Sequence, residues 1–343
     1  MCKLISRMRI PASSGSALLR ASGDHDIAIP RLADGESIEI DANGSPVTLE
    51  AADWLVCFVP GLRKQWWHAL VNAKHKHVFA MRMVDENTWL IMEPWWTRNM
   101  VNVLSFDQAV QYLRWAASGD IIKVREAIPG RGSQTRGWSN CAVMVSFLLG
   151  RGYRTWSPHG LYKRLKAEQG AQLVDVTRLL ADHCATVANK AIGSVLGGFP
   201  RRQDEPLESV LSRIGQGMVR VMLTPAVIGI HKAAASGSRI FTMAAEAYRA
   251  NGPDRVSEQI RRLLDEADRR GEIHMADSAA AARRFISMLR GDLHVAMDVR
   301  GEALPEMKIS DYVNAVVATF LGGASGTTGR KGLEAPLQKE LAY

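Results

Sequence analysis

The chain has 343 residues, 47% of them hydrophobic and 23% charged, with a formal net charge of +8, the balance of an ordinary water-soluble globular protein. No run approaches the roughly 18–20 uninterrupted apolar residues of a membrane span, and the basic start around Met1–Arg9 lacks the apolar core of a secretory signal. The 4 cysteines, Cys2, Cys57, Cys141 and Cys184, are scattered without a CxxC pair, which argues against a structural zinc site and for a reducing, cytoplasmic setting.

Residues 1 to about 50 read as a flexible lead ending in a small hairpin: Ser37–Ile40 alternates, Ala42–Ser45 turns and Pro46–Leu49 is extended. From Trp54 the composition changes, and all 9 tryptophans lie between Trp54 and Trp156. Gln65–Leu70 is compatible with a short helix. His77–Val84 reads as a strand, Asp85–Asn87 as its turn and Thr88–Glu93 as the returning strand, stopped by Pro94. Asn102–Leu104 is a candidate third strand, and Ser105 caps a helix over Phe106–Ala117. A Gly-rich loop at Pro129–Ser133 precedes an apolar helix from Cys141 to Leu149, closed by Gly150. His159–Leu165 forms one more short helix, and Ala171–Pro200 is helical up to its Gly-Gly-Phe-Pro breaker.

Past Pro206 helical periodicity is almost continuous. Helices are predicted over Leu207–Leu223, Ala226–Ala250, Pro253–Arg270, Ser278–Val299 and Ser310–Leu321, with Asp277 as a cap and Gly322-Gly323 as a stop. The tail Ala324–Tyr343 is Gly/Thr/Lys-rich and expected to be disordered. The fold class is therefore a small antiparallel sheet with helices, followed by an all-α bundle. The expected domains are 51–167 and 206–323, joined by a helical linker over 168–205. Arginine pairs such as Arg261-Arg262 sit among acidic residues, as on solvated helix faces, with weak nucleic-acid attraction the minority reading.

The most chemical-looking stretch is Trp138-Ser139-Asn140-Cys141. A cysteine in the first turn of an apolar helix feels the positive end of the helix dipole and unpaired N–H groups, which favour the nucleophilic thiolate. It also needs an imidazole within reach. If Asp85–Asn87 is a three-residue loop, Phe79 pairs with Glu93, and His77 and Glu93 share one face of the ribbon; a two-residue turn separates them. His68, His75 and His159 are other available imidazoles, read as ordinary surface or loop residues. A lone cysteine leading an apolar helix is more often a core residue than a catalyst.

The order His77-Val78-Phe79-Ala80, Trp89–Pro94, Asn140-Cys141, then Ser157-Pro158-His159, resembles the circularly permuted papain-like (NlpC-related) thiol hydrolases, and also small phage and prophage proteins. The resemblance covers about residues 54–165. It implies Cys141 as nucleophile, His77 as general base and Glu93 as the group orienting the imidazole; degenerate members of such folds serve as binding modules.

The second half resembles the C-terminal ligand-binding and dimerisation domain of TetR-family regulators of the AefR-like type. The text that carries it is Met243–Pro253, Leu263–Ala267, Gly271–Ile273 and Asp277–Phe285. This implies a homodimer through the C-terminal helices and an apolar effector pocket lined from Met218, Ile228, Met243 and Phe285. The family's arginine-led helix is replaced by His231-Lys232-Ala233, and its N-terminal helix-turn-helix is not recognisable; only Gly160–Leu165 is faintly like a recognition helix. Specific DNA binding is thus not expected, and no cofactor, metal or membrane partner is implied. Three readings stay open: a papain-like hydrolase or binding module fused to a TetR-type sensor; a TetR-type regulator with an unrecognised DNA reader; and a non-catalytic binding and dimerising protein of mobile-element origin.

Overall fold

The structure, a computed structural model, describes residues 46–47, 50–62, 71–95, 98–127, 140–153, 155–197, 199–202, 205–300 and 306–325. The helix expected at 65–70, the loop at 129–133, most of the hairpin over 37–49 and the tail beyond Ser325 lie outside them. Of the first 50 residues, Pro46, Val47 and Glu50 are described, all exposed. Residues from Ala51 onward form one unit of packing.

Its centre is an antiparallel sheet. The strands are β1 (Asp53–Val59), β2 (His77–Met83), β3 (Thr88–Pro94), β4 (Asn99–Ser105), β5 (Asp120–Arg125) and β6 (Gln172–Leu173), in the order β4-β3-β2-β1-β5-β6. Central β1 is an unbroken apolar run because both of its faces are covered. Trp54, Val56 and Phe58 point into one core, and Leu55, Cys57 and Val59 into the other. Strand β5, left unassigned by local patterning, exists because it pairs with β1 more than sixty residues earlier, from Asp53↔Arg125 to Phe58↔Asp120. The β2–β3 turn is the three-residue form: the Val84 N–H donates to the Thr88 carbonyl at 2.8 Å. Asp85 Oδ1 holds the turn by accepting from the N–H groups of Asn87 (2.9 Å) and Thr88 (2.8 Å).

Three helices frame the sheet nearest the site: α1 (Phe106–Ala116), α2 (Cys141–Leu148) and α3 (Pro158–Lys166). Helices α2 and α3 cover the Val56–Phe58–Val78 face with Ala142, Val145, Leu161 and Leu165. The opposite face packs on α1 and on α4 (Val176–Leu196), whose first turn is capped by Asp175 accepting from Thr177 N–H at 2.8 Å. The His183 ring of α4 stacks on Phe106 of α1, centroids 4.6 Å apart at 22°.

The helical half follows as α5 (Leu207–Met222), α6 (Pro225–Ala235), α7 (Thr242–Asn251), α8 (Pro253–Arg269), α9 (Ser278–Arg300) and α10 (Glu306–Ser325). Two expectations are corrected. The helix predicted over Ala226–Ala250 is two helices, because Gly237 turns the chain at φ +66° and a short 3-10 turn, Arg239–Phe241, follows. The last helix passes through Gly322-Gly323 instead of stopping there; the roughly 1 kcal/mol that a helical glycine costs is a local term, outweighed where Val313, Val317 and Phe320 bury one face.

Helices α5, α8, α9 and α10 enclose a second core built on Leu211, Ile214, Ile260, Leu264, Phe285 and Leu289. Helices α6 and α7 do otherwise: Val227, Ile230, Ala244 and Tyr248 complete the sheet's core beside α1 and α4. The change in composition near Pro200–Pro206 is therefore crossed by packing, and α4 contributes Val187 to one core and Ile192 and Val195 to the other.

Candidate functional site

The hairpin register decides the geometry of the first site. Ala80 faces Met92 across β2 and β3, which puts His77 and Glu93 on one side of the ribbon. His77 Nε2–H donates to Glu93 Oε1 at 3.2 Å. Glu93 is buried, 3% exposed, and its second oxygen accepts from the Tyr112 hydroxyl at 3.2 Å. That tyrosine is one turn from Trp115 on α1, whose indole stacks on His77, centroids 5.9 Å apart at 17°. The Trp115 Nε1–H is itself fixed, donating to the Pro60 carbonyl at 3.1 Å. The imidazole is thus clamped by an ion-pair partner at one edge and an aromatic plate on one face.

Cys141 opens α2, and its thiol stands close enough to His77 to act on the imidazole electrostatically. With Nε2 committed to Glu93, Nδ1 is the ring nitrogen left for sulfur. Asn140 sets the helix start: its Oδ1 accepts from Val143 N–H at 2.9 Å, and its Nδ2–H donates to the Trp156 carbonyl at 2.9 Å. Burial pulls the His77 pKa down, but the Cys141 thiol and the Glu93 carboxylate outweigh it and raise it to about 9. Cys141 is half-buried, whereas Cys57 and Cys184 are buried in apolar packing that pushes their thiols well above the usual range. Of the expected trio, His77 and Glu93 are in contact, with Tyr112 and Trp115 fixing them, and Cys141 comes from a helix about fifty residues on. The signal of Tyr112 and Trp115 was present but weak: a three-residue spacing on the amphipathic helix α1.

A second cluster lies on the α2–α3 side. His75 Nε2–H donates to Asp120 Oδ2 at 2.6 Å, and His75 Nδ1 lies 2.9 Å from His159 Nδ1. His75 is 3% exposed and packs on Phe58 and Tyr162, so it is no loop residue exposed to solvent.

The expected effector residues separate in space. Met218 lines a narrow apolar cleft with Ile192, Tyr248, Val256, Ile286 and Arg290. Phe285 is fully buried in the second core against Phe320, Met243 is 54% exposed, and Ile228 stands half-buried away from the cleft. Helical spacing identified apolar faces but not which of them face a void. Next to the cleft, sharing Tyr248, Ile286 and Arg290, a groove of about 560 Å³ carries Arg249, Arg261, Arg283, Asp254 and Glu258. Helix α3, the segment faintly like a recognition helix, buries Leu161 and Leu165 on the sheet and sets the Arg164 guanidinium over the Tyr153 ring at 5.5 Å.

Among the described residues no group of three or more His, Cys, Asp or Glu side chains is arranged to hold a metal ion. Among them, too, no single helix is long and apolar enough to cross a membrane; α5 and α6 together are apolar enough, but they bend by 67°.

Residues 209–323, about a third of the chain, match the family model of the AefR-like transcriptional repressor C-terminal domain. Solved structures similar to the chain include the flavonoid-responsive regulator FrrA, at 17% identity and a TM-score of 0.37, covering 53% of this chain and 85% of that one. A TetR-family transcriptional regulator from Mesorhizobium loti is similar at 13% identity and a TM-score of 0.38, covering 54% and 86% respectively. No curated protein matches the chain.

Proposed function

We propose that the chain joins a papain-like thiol hydrolase site, Cys141–His77–Glu93, to a TetR-type ligand-sensing and dimerising helical domain. The observation that carries the first half is an imidazole that a buried carboxylate orients, near a cysteine that opens a helix. In this reading His77 takes the Cys141 proton, the thiolate attacks an acyl carbon, and the imidazolium gives its proton to the leaving group. Glu93, tied to Tyr112, holds the ring so that Nδ1 faces sulfur and its charge favours the imidazolium. Trp115 keeps the ring from turning away. The second half rests on the family match over 209–323. There the apolar cleft beside Met218 is the effector site, and the C-terminal helices pair with those of a second copy.

The test is site-resolved alkylation in a Cys2→Ser background. Iodoacetamide is expected to label Cys141 rapidly at neutral pH while sparing buried Cys57 and Cys184. His77→Gln slows labelling at least tenfold, and Cys141→Ala abolishes both labelling and hydrolysis of an activated ester. Labelling of Cys141 no faster than a free thiol peptide sinks the catalytic half. The family match also favours a second reading, a TetR-type regulator that reads DNA through another part of the chain. That reading predicts sequence-specific DNA binding whose affinity falls steeply with salt. A protein that only binds and dimerises fails both assays while remaining a dimer.

A further inference from the structure

The histidines of one short segment reach two neighbouring helix starts. His77 acts electrostatically on Cys141 at the start of α2, and His75 lies 2.9 Å from His159 in the first turn of α3. Two residues of chain span at most about 7 Å. The two helix starts are stitched together by the Asn140 amide donating to the Trp156 carbonyl at 2.9 Å, one residue before the Ser157 cap of α3. This contact joins the residue before the thiol to the residue before the α3 cap, so the two helix starts open at one end of the α2–α3 layer.

The hydrogen-bond order along the second cluster follows from what each atom can do. A carboxylate only accepts, so His75 Nε2 carries the proton on Asp120. When the other nitrogen of His75 accepts, His159 Nδ1–H is the donor. His159 Nε2 is left with a lone pair on a half-exposed ring. The array has the logic of a triad: a carboxylate orients a buried imidazole, which in turn orients a third group.

We propose that Asp120, His75 and His159 form a second acid–base array beside the thiol, in which His159 activates the water that releases the acyl group from Cys141. The role rests on the thiol reading above. Water oxygen adds to the thioester carbonyl carbon while His159 Nε2 takes one of its protons, and the His159 Nδ1 proton passes to His75, whose cation Asp120 stabilises. The carbon–sulfur bond then breaks, the electron pair returns to sulfur and the carboxylic acid departs. The array releases its proton to solvent through His159 Nε2, and His77 regains one. The environments divide the labour: the Cys141 and Glu93 partners hold His77 toward its protonated form, whereas partial burial, the charge of His75 and that of Lys163 hold the His159 pKa below its ordinary value. Two titratable groups driven apart in this way suit an acid and a base.

The experiment uses the full-length chain with p-nitrophenyl acetate, separating the acylation burst from steady-state turnover. His159→Ala is expected to keep a burst equal to the Cys141 content and to lose about 10²-fold in turnover, the usual contribution of a general base. Added imidazole restores part of that loss, and the melting temperature checks that the variant is folded. Asp120→Asn, which leaves His159 in place, is expected to slow the same step and to move the acid limb of its pH profile to lower pH; a purely structural role does not move that limb. A normal burst with unchanged turnover in both variants overturns the array while leaving the thiol reading intact. No burst in the native chain overturns both.

Discussion

Replacing Glu93 by Gln keeps the side chain's shape and takes the charge away from an imidazole 3.2 Å distant. In the native chain the His77 pKa is raised from 6.5 to about 9, against burial, by the Cys141 thiol and Glu93 together. That difference corresponds to about 3 kcal/mol of preference for the imidazolium. A close opposite charge typically contributes about 1–3 pH units, so His77 in Glu93→Gln is expected to titrate between about 6 and 8. The assay is the rate of Cys141 alkylation by iodoacetamide as a function of pH, in which the upper limb reports loss of the His77 proton. That limb is expected near pH 9 in the native chain and about one to three units lower in the variant, the thiolate becoming more free but less well held. The linkage has a definite sign. The folded state binds this proton more tightly than the unfolded chain, so the attraction stabilises fully below pH 6.5 and is lost as the pH rises through about 9. Urea denaturation should accordingly show the largest deficit of Glu93→Gln near pH 6, narrowing by pH 9. A native profile that follows an ordinary free thiol, with one limb at about 8.5, refutes the reasoning, as does an upper limb unmoved by the substitution.

Gly119→Ala should cost at least about 2 kcal/mol by urea denaturation, because the added Cβ would sit 1.9 Å from the Phe58 carbonyl oxygen, a backbone atom that cannot swing aside. Phe285→Ala should cost about 3–5 kcal/mol, as befits a ring fully buried against Phe320; a loss under 1 kcal/mol would restore it to a pocket wall. A chain ended at Pro200 should fail to give a soluble, cooperatively melting sheet module, since it lacks the α6 and α7 side chains Val227, Ile230 and Tyr248 that close the sheet's core. A fragment 1–200 with a sharp melting transition would show that this face closes without them.

The β2–β3 hairpin and its turn segment Asp85–Asn87 were legible in the sequence, whereas the side-by-side placement of His77 and Glu93 waited on the register that the structure supplies. Alternation of side chains and the turn chemistry of Asp85 act over a few residues, and a period of two leaves one choice of face per register. The helix opened by Asn140 and Cys141, the cap at Asp277 and most helices after Pro206 were legible for the same reason, since capping and amphipathic spacing are local, whereas the helix expected from Ala171 starts only at Val176, after the cap Asp175. Met218 was placed on a cleft, but Phe285, Met243 and Ile228 were not, because spacing tells which face is apolar and not what it packs against.

Three features needed the tertiary structure. Strand β5 exists through pairing with β1 far away in the chain, so its own six residues say little. His75 looked like one more loop imidazole until Asp120 and His159, from a strand and a helix far along the chain, closed around it. The Trp-rich and Ala/Arg-rich halves differ sharply in composition, which the sequence alone determined. That α6 and α7 of the second half seal the core of the first was decided only by packing, because burial belongs to the whole fold, while composition belongs to each segment.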